Sequence, residues 1–229
     1  MKQNMYIKNQ QAGFTLVEIA IVLVIIGLLL GGVLKGTELI ENSKVKRAVN
    51  ELNSITAALY AYQDRYQRLP GDDGPNLATL TGRGGPWTAV TVAGNNNGVI
   101  VAAAANTFNP AAESLAFWQH LKAAGFISGN PADTGVTALP RNAFGGLIGM
   151  TAVAVGAPAT NQISGRIVCL SQVPGKSAVA LDTQLDDGNG DTGKMRAFLG
   201  TAGTNTAPSN TALGAAYNET SEYTICLQM

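Results

Sequence analysis

Two helical patterns follow one another at the start of the chain. Residues 14–34 form an apolar run in which Glu18 is the single charged side chain. A helix over this run would be roughly 30 Å long, which matches the hydrocarbon core of a bilayer. The pattern therefore predicts a membrane-spanning helix over 14–34.

Residues 35–66 continue with an amphipathic pattern. Apolar side chains recur every three or four residues and so lie on one face of a helix. These residues are Val45, Ala48, Leu52, Ile55, Leu59, Tyr62 and Tyr66. Because no proline occurs between Phe14 and Leu69, we predict one helix from about 14 to 66, with its second half packed on a globular domain. A coiled coil is the competing interpretation of the same stripe.

Beyond residue 66 the pattern changes to short apolar runs separated by turn-forming residues. The Pro-Gly-Asp series at 70–73 is expected to end the long helix. We predict a short helix over 114–124 and strands at 90–92, 99–101, 165–170, 177–181, 194–199 and 223–227, with another over 147–155. Successive short strands indicate an antiparallel sheet. The expected fold class is α+β, with a β-rich globular domain over 67–229.

The composition argues against several functional classes. Fifteen basic and fifteen acidic residues cancel, which leaves no broad basic surface for nucleic acid. One histidine and two cysteines are too few for a zinc cluster or an iron–sulfur site. The chain shows no nucleophile elbow, phosphate-binding loop or dinucleotide fingerprint. We therefore expect a protein that is not an enzyme and binds no nucleic acid, with a structural role for His120.

A short motif, GFTLVE over residues 13–18, opens the apolar run. It combines Gly13, the aromatic Phe14 and an acidic residue, Glu18, five positions after the glycine. A carboxylate within a membrane segment costs about 2.5–3.5 kcal/mol at the centre of the bilayer, so such a residue usually has a partner. The motif and the apolar run after it resemble the processing site of type IV prepilins and type II secretion pseudopilins.

The resemblance implies a maturation pathway. A prepilin peptidase would cut between Gly13 and Phe14, which makes residues 1–13 a leader peptide, and would then methylate the amine of Phe14. The resemblance also gives Glu18 a role in assembly, in which its carboxylate pairs with the amine of a neighbouring subunit. Such pairing would offset the desolvation of both charges.

The same resemblance implies the pilin fold, a long N-terminal helix packed on an antiparallel sheet. We expect a structural subunit of a type IV pilus-like filament, or fimbrium. It would cross the inner membrane once and then join a periplasmic or extracellular filament. The implied partners are the prepilin peptidase, other pilin subunits, an inner-membrane assembly platform and the membrane.

A type II secretion pseudopilin and a membrane-anchored binding domain that never polymerises are the alternatives. A cleaved secretory signal peptide fits poorly, because its apolar region spans only about 7–15 residues.

Flanking charges alone favour the opposite membrane orientation. Only Lys2 and Lys8 precede the apolar run, whereas four basic residues follow it within a short distance. The more basic flank of a membrane helix is usually cytoplasmic. The resemblance outweighs this count, because it implies a leader peptide in the cytoplasm. The cysteine pair also suits an oxidising compartment.

Cys169 and Cys226 are the only cysteines of the chain. In an extracytoplasmic domain a disulfide between them is expected, and pilins often have such a C-terminal bridge. Closing a loop of this length would stabilise the fold by about 4 kcal/mol on the chain-entropy model. Two buried thiols are the alternative.

An acidic segment follows residue 181. Asp186, Asp187, Asn189 and Asp191 alternate oxygen ligands as hard-cation loops do, and Asp182 lies just upstream. The segment is not an EF-hand, because Phe198 stands where the glutamate at position twelve should be. Some members of the resembling family bind calcium in C-terminal loops. Calcium binding and an Asp/Asn turn held by local hydrogen bonds both fit the pattern.

Overall fold

The computed structural model describes residues 13–156, 161–209 and 216–229. Internal contacts divide the chain into two units, Met1–Glu41 and Asn42–Met229. Helix α1, Leu16–Tyr66, contributes residues to both units. The predicted single long helix is therefore confirmed.

The start and the end of α1 have local causes. Thr15 caps the helix, because its hydroxyl Oγ1 accepts a hydrogen bond from the backbone N–H of Glu18 at 3.2 Å. The Glu18 carboxylate in turn accepts the backbone N–H of Thr15 at 2.9 Å, so the two residues form a reciprocal capping box. At the other end Gln67 has a φ of 53°, and this left-handed conformation ends the helix.

In the second unit one face of α1 is buried. The buried side chains recur at helical spacing and belong to the hydrophobic core of that unit; they are Val45, Ala48, Leu52, Ile55, Ala58, Leu59 and Tyr62. The predicted apolar stripe is thus covered by the domain of its own chain.

A four-stranded antiparallel sheet contributes a further part of the core. Its strands are β1, Ile148–Thr151; β2, Ile167–Pro174; β3, Met195–Leu199; and β4, Glu222–Gln228, in the order β1-β2-β4-β3. The second unit also has three short α-helices within the described residues: α2, Leu77–Thr81; α3, Glu113–Ala123; and α4, Gly175–Leu185. Short 3₁₀ helices lie at Gly85–Ala89, Ala104–Asn106 and Gly135–Ala138. The expected α+β class is confirmed, and a long helix with an antiparallel sheet is consistent with the pilin fold.

The predicted strand at 177–181 is wrong, because these residues lie in α4. Ala178 and Leu181 are buried three positions apart, which is helical spacing, and a five-residue window is too short to reveal that period. Residues 147–155 contain a strand only over β1.

The predicted strands at 90–92 and 99–101 are also wrong. In both segments side-chain oxygens accept the backbone N–H groups that would otherwise bond a neighbouring strand. The N–H groups of Thr91 and Val92 donate to Gln119 Oε1 at 3.0 and 3.2 Å. The N–H of Val101 donates to Glu113 Oε2 at 2.6 Å. Their backbone groups are therefore satisfied without a strand ladder.

Candidate functional site

The predicted cleavage site lies in a non-helical segment before α1. Gly13, Phe14 and Thr15 precede the first helical residue, Leu16. The Phe14 side chain is 84% exposed, and a Cβ atom placed on Gly13 would meet nothing within 4 Å. A peptide bond in such a segment can enter a peptidase without unwinding a helix.

Glu18 is positioned by Thr15. One carboxylate oxygen, Oε2, accepts both the backbone N–H and the hydroxyl of Thr15, each at 2.9 Å. This contact holds the carboxylate at the start of α1, close in sequence to Phe14. Sequence reasoning missed the role of Thr15, although a threonine three residues before a glutamate is a recognised helix-start signal.

The apolar part of α1 in the first unit is exposed. Large side chains point outwards along its length, and a segment of α1 is long and apolar enough to cross a membrane. Exposed residues include Leu16, Val17, Leu23, Val24, Leu28, Leu29, Leu30, Val33 and Leu34. A continuous apolar surface of this kind is suited to lipid or to other apolar helices.

Three carboxylates of the acidic segment come together. Side-chain oxygens of Asp182, Asp186 and Asp187 lie within 4.8 Å of one another. Asp191 lies outside this group, and its Oδ2 accepts a hydrogen bond from the side chain of Asn161 at 2.9 Å. Asn189 Oδ1 accepts the N–H of Asp191 at 3.2 Å.

Local hydrogen bonds hold the acidic segment. Asp186 Oδ2 accepts the N–H groups of Lys194 and Met195. Asp187 accepts the N–H of Asn189 at 2.9 Å and the hydroxyl of Thr192. The turn held by hydrogen bonds, one of the two sequence-based alternatives, is therefore present.

The electrostatics of the acidic segment differ between its carboxylates. Burial raises the pKa of the Asp182 carboxyl, whose oxygen also accepts the hydroxyl of Tyr217. The Thr192 hydroxyl lowers the pKa of Asp187. Carboxylate oxygens are ligands that calcium prefers, and Asp182, Asp186 and Asp187 are the residues that would hold the ion. Calcium binding stays a prediction.

Cys169 and Cys226 are joined by a disulfide. They face each other directly across the ladder between β2 and β4, and both are buried. The bridge ties the last strand of the chain to the strand beside it.

His120 lies in the buried interior of the second unit. Its Nδ1 accepts the N–H of Gly71, and its Nε2 donates to the carbonyl of Val92, both at 3.1 Å. Burial lowers the pKa of His120 to about 4, so the ring is neutral at pH 7. Both ring nitrogens bond backbone groups, which fits the structural role expected from the sequence.

A buried ion pair lies near His120. The guanidinium of Arg83 donates to both carboxylate oxygens of Asp73, at 2.9 and 3.1 Å. The hydroxyl of Tyr62, on α1, donates to the same carboxylate at 2.6 Å. Burial raises the pKa of Tyr62 above its usual range. These contacts fasten the loop after α1 to the helix, and sequence reasoning did not predict them.

Two loops also meet beside the ion pair. The N–H of Gly94 donates to the carbonyl of Asp73 at 2.8 Å. The Asp72 carboxylate accepts the N–H groups of Asn97 and Gly98, at 3.0 and 2.7 Å. The turn that ends the long helix therefore also organises the loop over residues 94–98.

Comparison with known proteins finds a match at the N-terminal segment. Residues 8–34 match the prokaryotic N-terminal methylation motif. No curated protein matches the chain. The chain therefore carries the type IV prepilin-like cleavage and methylation signal, which supports a type IV pilin-like or pseudopilin protein.

Proposed function

We propose that this chain is a structural subunit of a type IV pilus-like filament. The observation that carries the proposal is the methylation motif at 8–34, which coincides with an exposed apolar helix. In this proposal a prepilin peptidase removes residues 1–13 and methylates Phe14. The chain then crosses the inner membrane once through residues 14–34 and presents residues 67–229 outside the cytoplasm.

The exposed apolar side chains of α1 explain both stages of this pathway. Before assembly, lipid covers residues 14–34, because a bilayer core is about as thick as the segment is long. During assembly, the apolar helices of other subunits replace the lipid. Close helix packing in an apolar surrounding is driven by van der Waals contacts and polar pairs. No catalytic step is assigned to the chain itself.

Glu18 provides the polar pair. Cleavage creates a cationic amine on Phe14 at the edge of the apolar segment. The carboxylate of Glu18 in an adjacent subunit is the matching anion, and pairing offsets the cost of removing both charges from water. Thr15, which already bonds the carboxylate, holds Glu18 at the end of the helix where the amine of a neighbour arrives.

The disulfide supports an extracytoplasmic location for the domain. Disulfides persist in oxidising compartments and are rare in the cytosol. A periplasmic or extracellular filament is the location that agrees with both the disulfide and the cleavage signal. Pseudopilins of type II secretion share the signal, and a short polymer in place of a long one would identify that variant of the function.

Polymerisation of Glu18 variants tests the proposal. Cells producing wild type, Glu18→Leu, Glu18→Gln and the control Glu219→Gln, at an exposed position of the globular domain, would be sheared, and the released polymer measured. We expect polymer from the wild type and from Glu219→Gln, and a loss in both Glu18 variants because neither carries the anion. Peptidase cleavage should persist in every variant. Wild-type amounts of polymer from both Glu18 variants would contradict the assembly role, and the absence of wild-type polymer would favour the membrane-anchored monomer.

A further inference from the structure

A polar cavity lies beside the end of α1 in the second unit. Its volume is about 420 Å³, within the range of small-molecule sites. Most such sites are lined mainly by apolar side chains, whereas four side-chain amides, one guanidinium and one carboxylate line this cavity. These residues are Gln63, Gln67, Arg68, Asp72, Asn96 and Asn97. The filament role proposed above uses none of them.

Contacts between two loops fix one wall of the cavity. The Asp72 carboxylate accepts the N–H groups of Asn97 and Gly98, at 3.0 and 2.7 Å. The Asp72 carbonyl accepts the N–H of Asn96 at 2.8 Å. A Cβ atom added to Gly94 would lie 2.1 Å from the Asp72 carbonyl carbon, so the two backbones are in close contact. A wall that is fixed in advance binds a ligand at a smaller cost in conformational entropy.

Two residues of the cavity have strained backbones. Gln67 and Asn96 have φ of 53° and 61°, in the left-handed region that favours glycine. Strain of this kind clusters at ligand-binding sites. Glycine is the usual residue just after a helix, yet the chain has the amide of Gln67 there. Its Nε2 donates to the carbonyl of Asp64 at 2.8 Å, which leaves the amide oxygen as an acceptor.

The side chains of the cavity keep hydrogen-bonding groups for a ligand. The Gln63 side chain makes no hydrogen bond to any residue that the structure describes. Arg68 Nη1 donates to Asn96 Oδ1 at 2.6 Å, which leaves the Asn96 amide nitrogen as a donor. Asn97 Oδ1 accepts the N–H of Val99 at 2.9 Å, which leaves a second amide nitrogen. The cavity therefore offers both donors and acceptors.

This arrangement selects for hydroxyl groups on an uncharged ligand. A hydroxyl both donates and accepts hydrogen bonds, as an amide does, so sugar hydroxyls match the mixed groups of the wall. An apolar ligand would leave those groups unpaired, at a cost in free energy. The carboxylate of Asp72 would repel an anion, and the guanidinium of Arg68 would repel a cation. We propose that the cavity binds an uncharged saccharide.

Isothermal titration calorimetry of the full chain tests the proposal. A zwitterionic detergent keeps the chain in solution and carries no sugar headgroup. The probes are the uncharged disaccharides lactose, maltose, cellobiose and chitobiose, with glucuronate as an anionic sugar. At least one disaccharide should bind the wild type, and more tightly than glucuronate does. Gln63→Leu should raise the Kd of that disaccharide about fivefold, the effect of losing one hydrogen bond.

A matched control separates the cavity from the rest of the surface. Gln184→Leu makes the same change at an exposed position of α4 and should leave Kd unchanged. Asn96→Gly removes an amide of the cavity and places glycine at a left-handed position, so the fold should be retained while Kd rises about fivefold. Circular dichroism would check that each variant is folded.

Several results would overturn the proposal. These are no heat of binding from any of the disaccharides, tighter binding of glucuronate than of every disaccharide, and an equal Kd in the wild type, Gln63→Leu and Asn96→Gly. An equal rise in Kd for Gln184→Leu and Gln63→Leu would also overturn it. None of these results bears on the proposed function, because the inference goes beyond that function and needs no polymer. A wild-type chain without sheared polymer contradicts the function and leaves saccharide binding standing.

Discussion

Replacing Arg83 with methionine would show how much the ion pair with the buried carboxylate of Asp73 contributes to the stability of the fold. The Asp73 side chain is 1% exposed. Its carboxylate accepts two hydrogen bonds from the Arg83 guanidinium and one from the Tyr62 hydroxyl. Arg83 also lies over the rings of Tyr66 and Trp87, at 4.9 and 4.5 Å. Methionine retains an apolar stem for those rings and removes the charge.

The expected cost follows from the burial of the pair. Removing one partner of a buried ion pair costs about 3–5 kcal/mol, because the other charge stays buried without compensation. The Arg83 side chain is 27% exposed, so water reaches it and we expect the lower end, about 3 kcal/mol. For a domain of this size, each kcal/mol lowers Tm by about 2–4 °C. The variant should therefore unfold about 6–12 °C below the wild type.

Thermal unfolding of the detergent-solubilised full chain, followed by circular dichroism at pH 7, measures this loss. Arg68→Met is the matched control, because Arg68 is exposed and its guanidinium donates to the uncharged side chain of Asn96. Its Tm should change by a few degrees at most. Equal decreases in Tm for Arg83→Met and Arg68→Met would refute the reasoning, because the fold would then not need Arg83 to compensate the buried charge of Asp73.

Three further predictions concern the second unit. Because burial lowers the pKa of His120 to about 4, the folded protein binds this proton less readily than the unfolded chain. Stability should fall as pH drops from about 6.5 to 4, and a Tm–pH curve that His120→Gln leaves unchanged would contradict this. Gly94→Ala should lower the unfolding free energy in urea by about 1–3 kcal/mol, because the new Cβ would lie 2.1 Å from the Asp72 carbonyl carbon; an unchanged midpoint would argue against that contact. Replacing Cys169 and Cys226 together with alanine should cost about 4 kcal/mol on the chain-entropy model, and reductant should then have no further effect on Tm.

The long elements could be predicted from the sequence because they repeat their pattern many times. Helix α1 has 51 residues, enough for the three-and-four spacing to be unambiguous. β3 and β4 were predicted within one residue at each end, because each is a short apolar run bounded by turns. Helix α4 was mistaken for a strand, because a window of five residues carries too little of the helical period.

The functional segment was predictable for a different reason. The motif around Gly13 and Glu18 is local, so every residue that carries it is adjacent in the sequence. The ion pair between Asp73 and Arg83 joins residues from an irregular stretch that has no period to reveal which side chains face inwards. The backbone N–H groups of Thr91 and Val101 donate to Gln119 and Glu113, and such side-chain partners from another element leave no signal in the segment itself.

The mass of the intact protein tests the central claim most directly. The chain would be isolated from cells with and without the prepilin peptidase. We predict a mass for Phe14–Met229 plus one methyl group when the peptidase is present, and the mass of Met1–Met229 when it is absent. An uncut chain starting at Met1 in both strains would contradict the account and leave a membrane-anchored domain that is not processed.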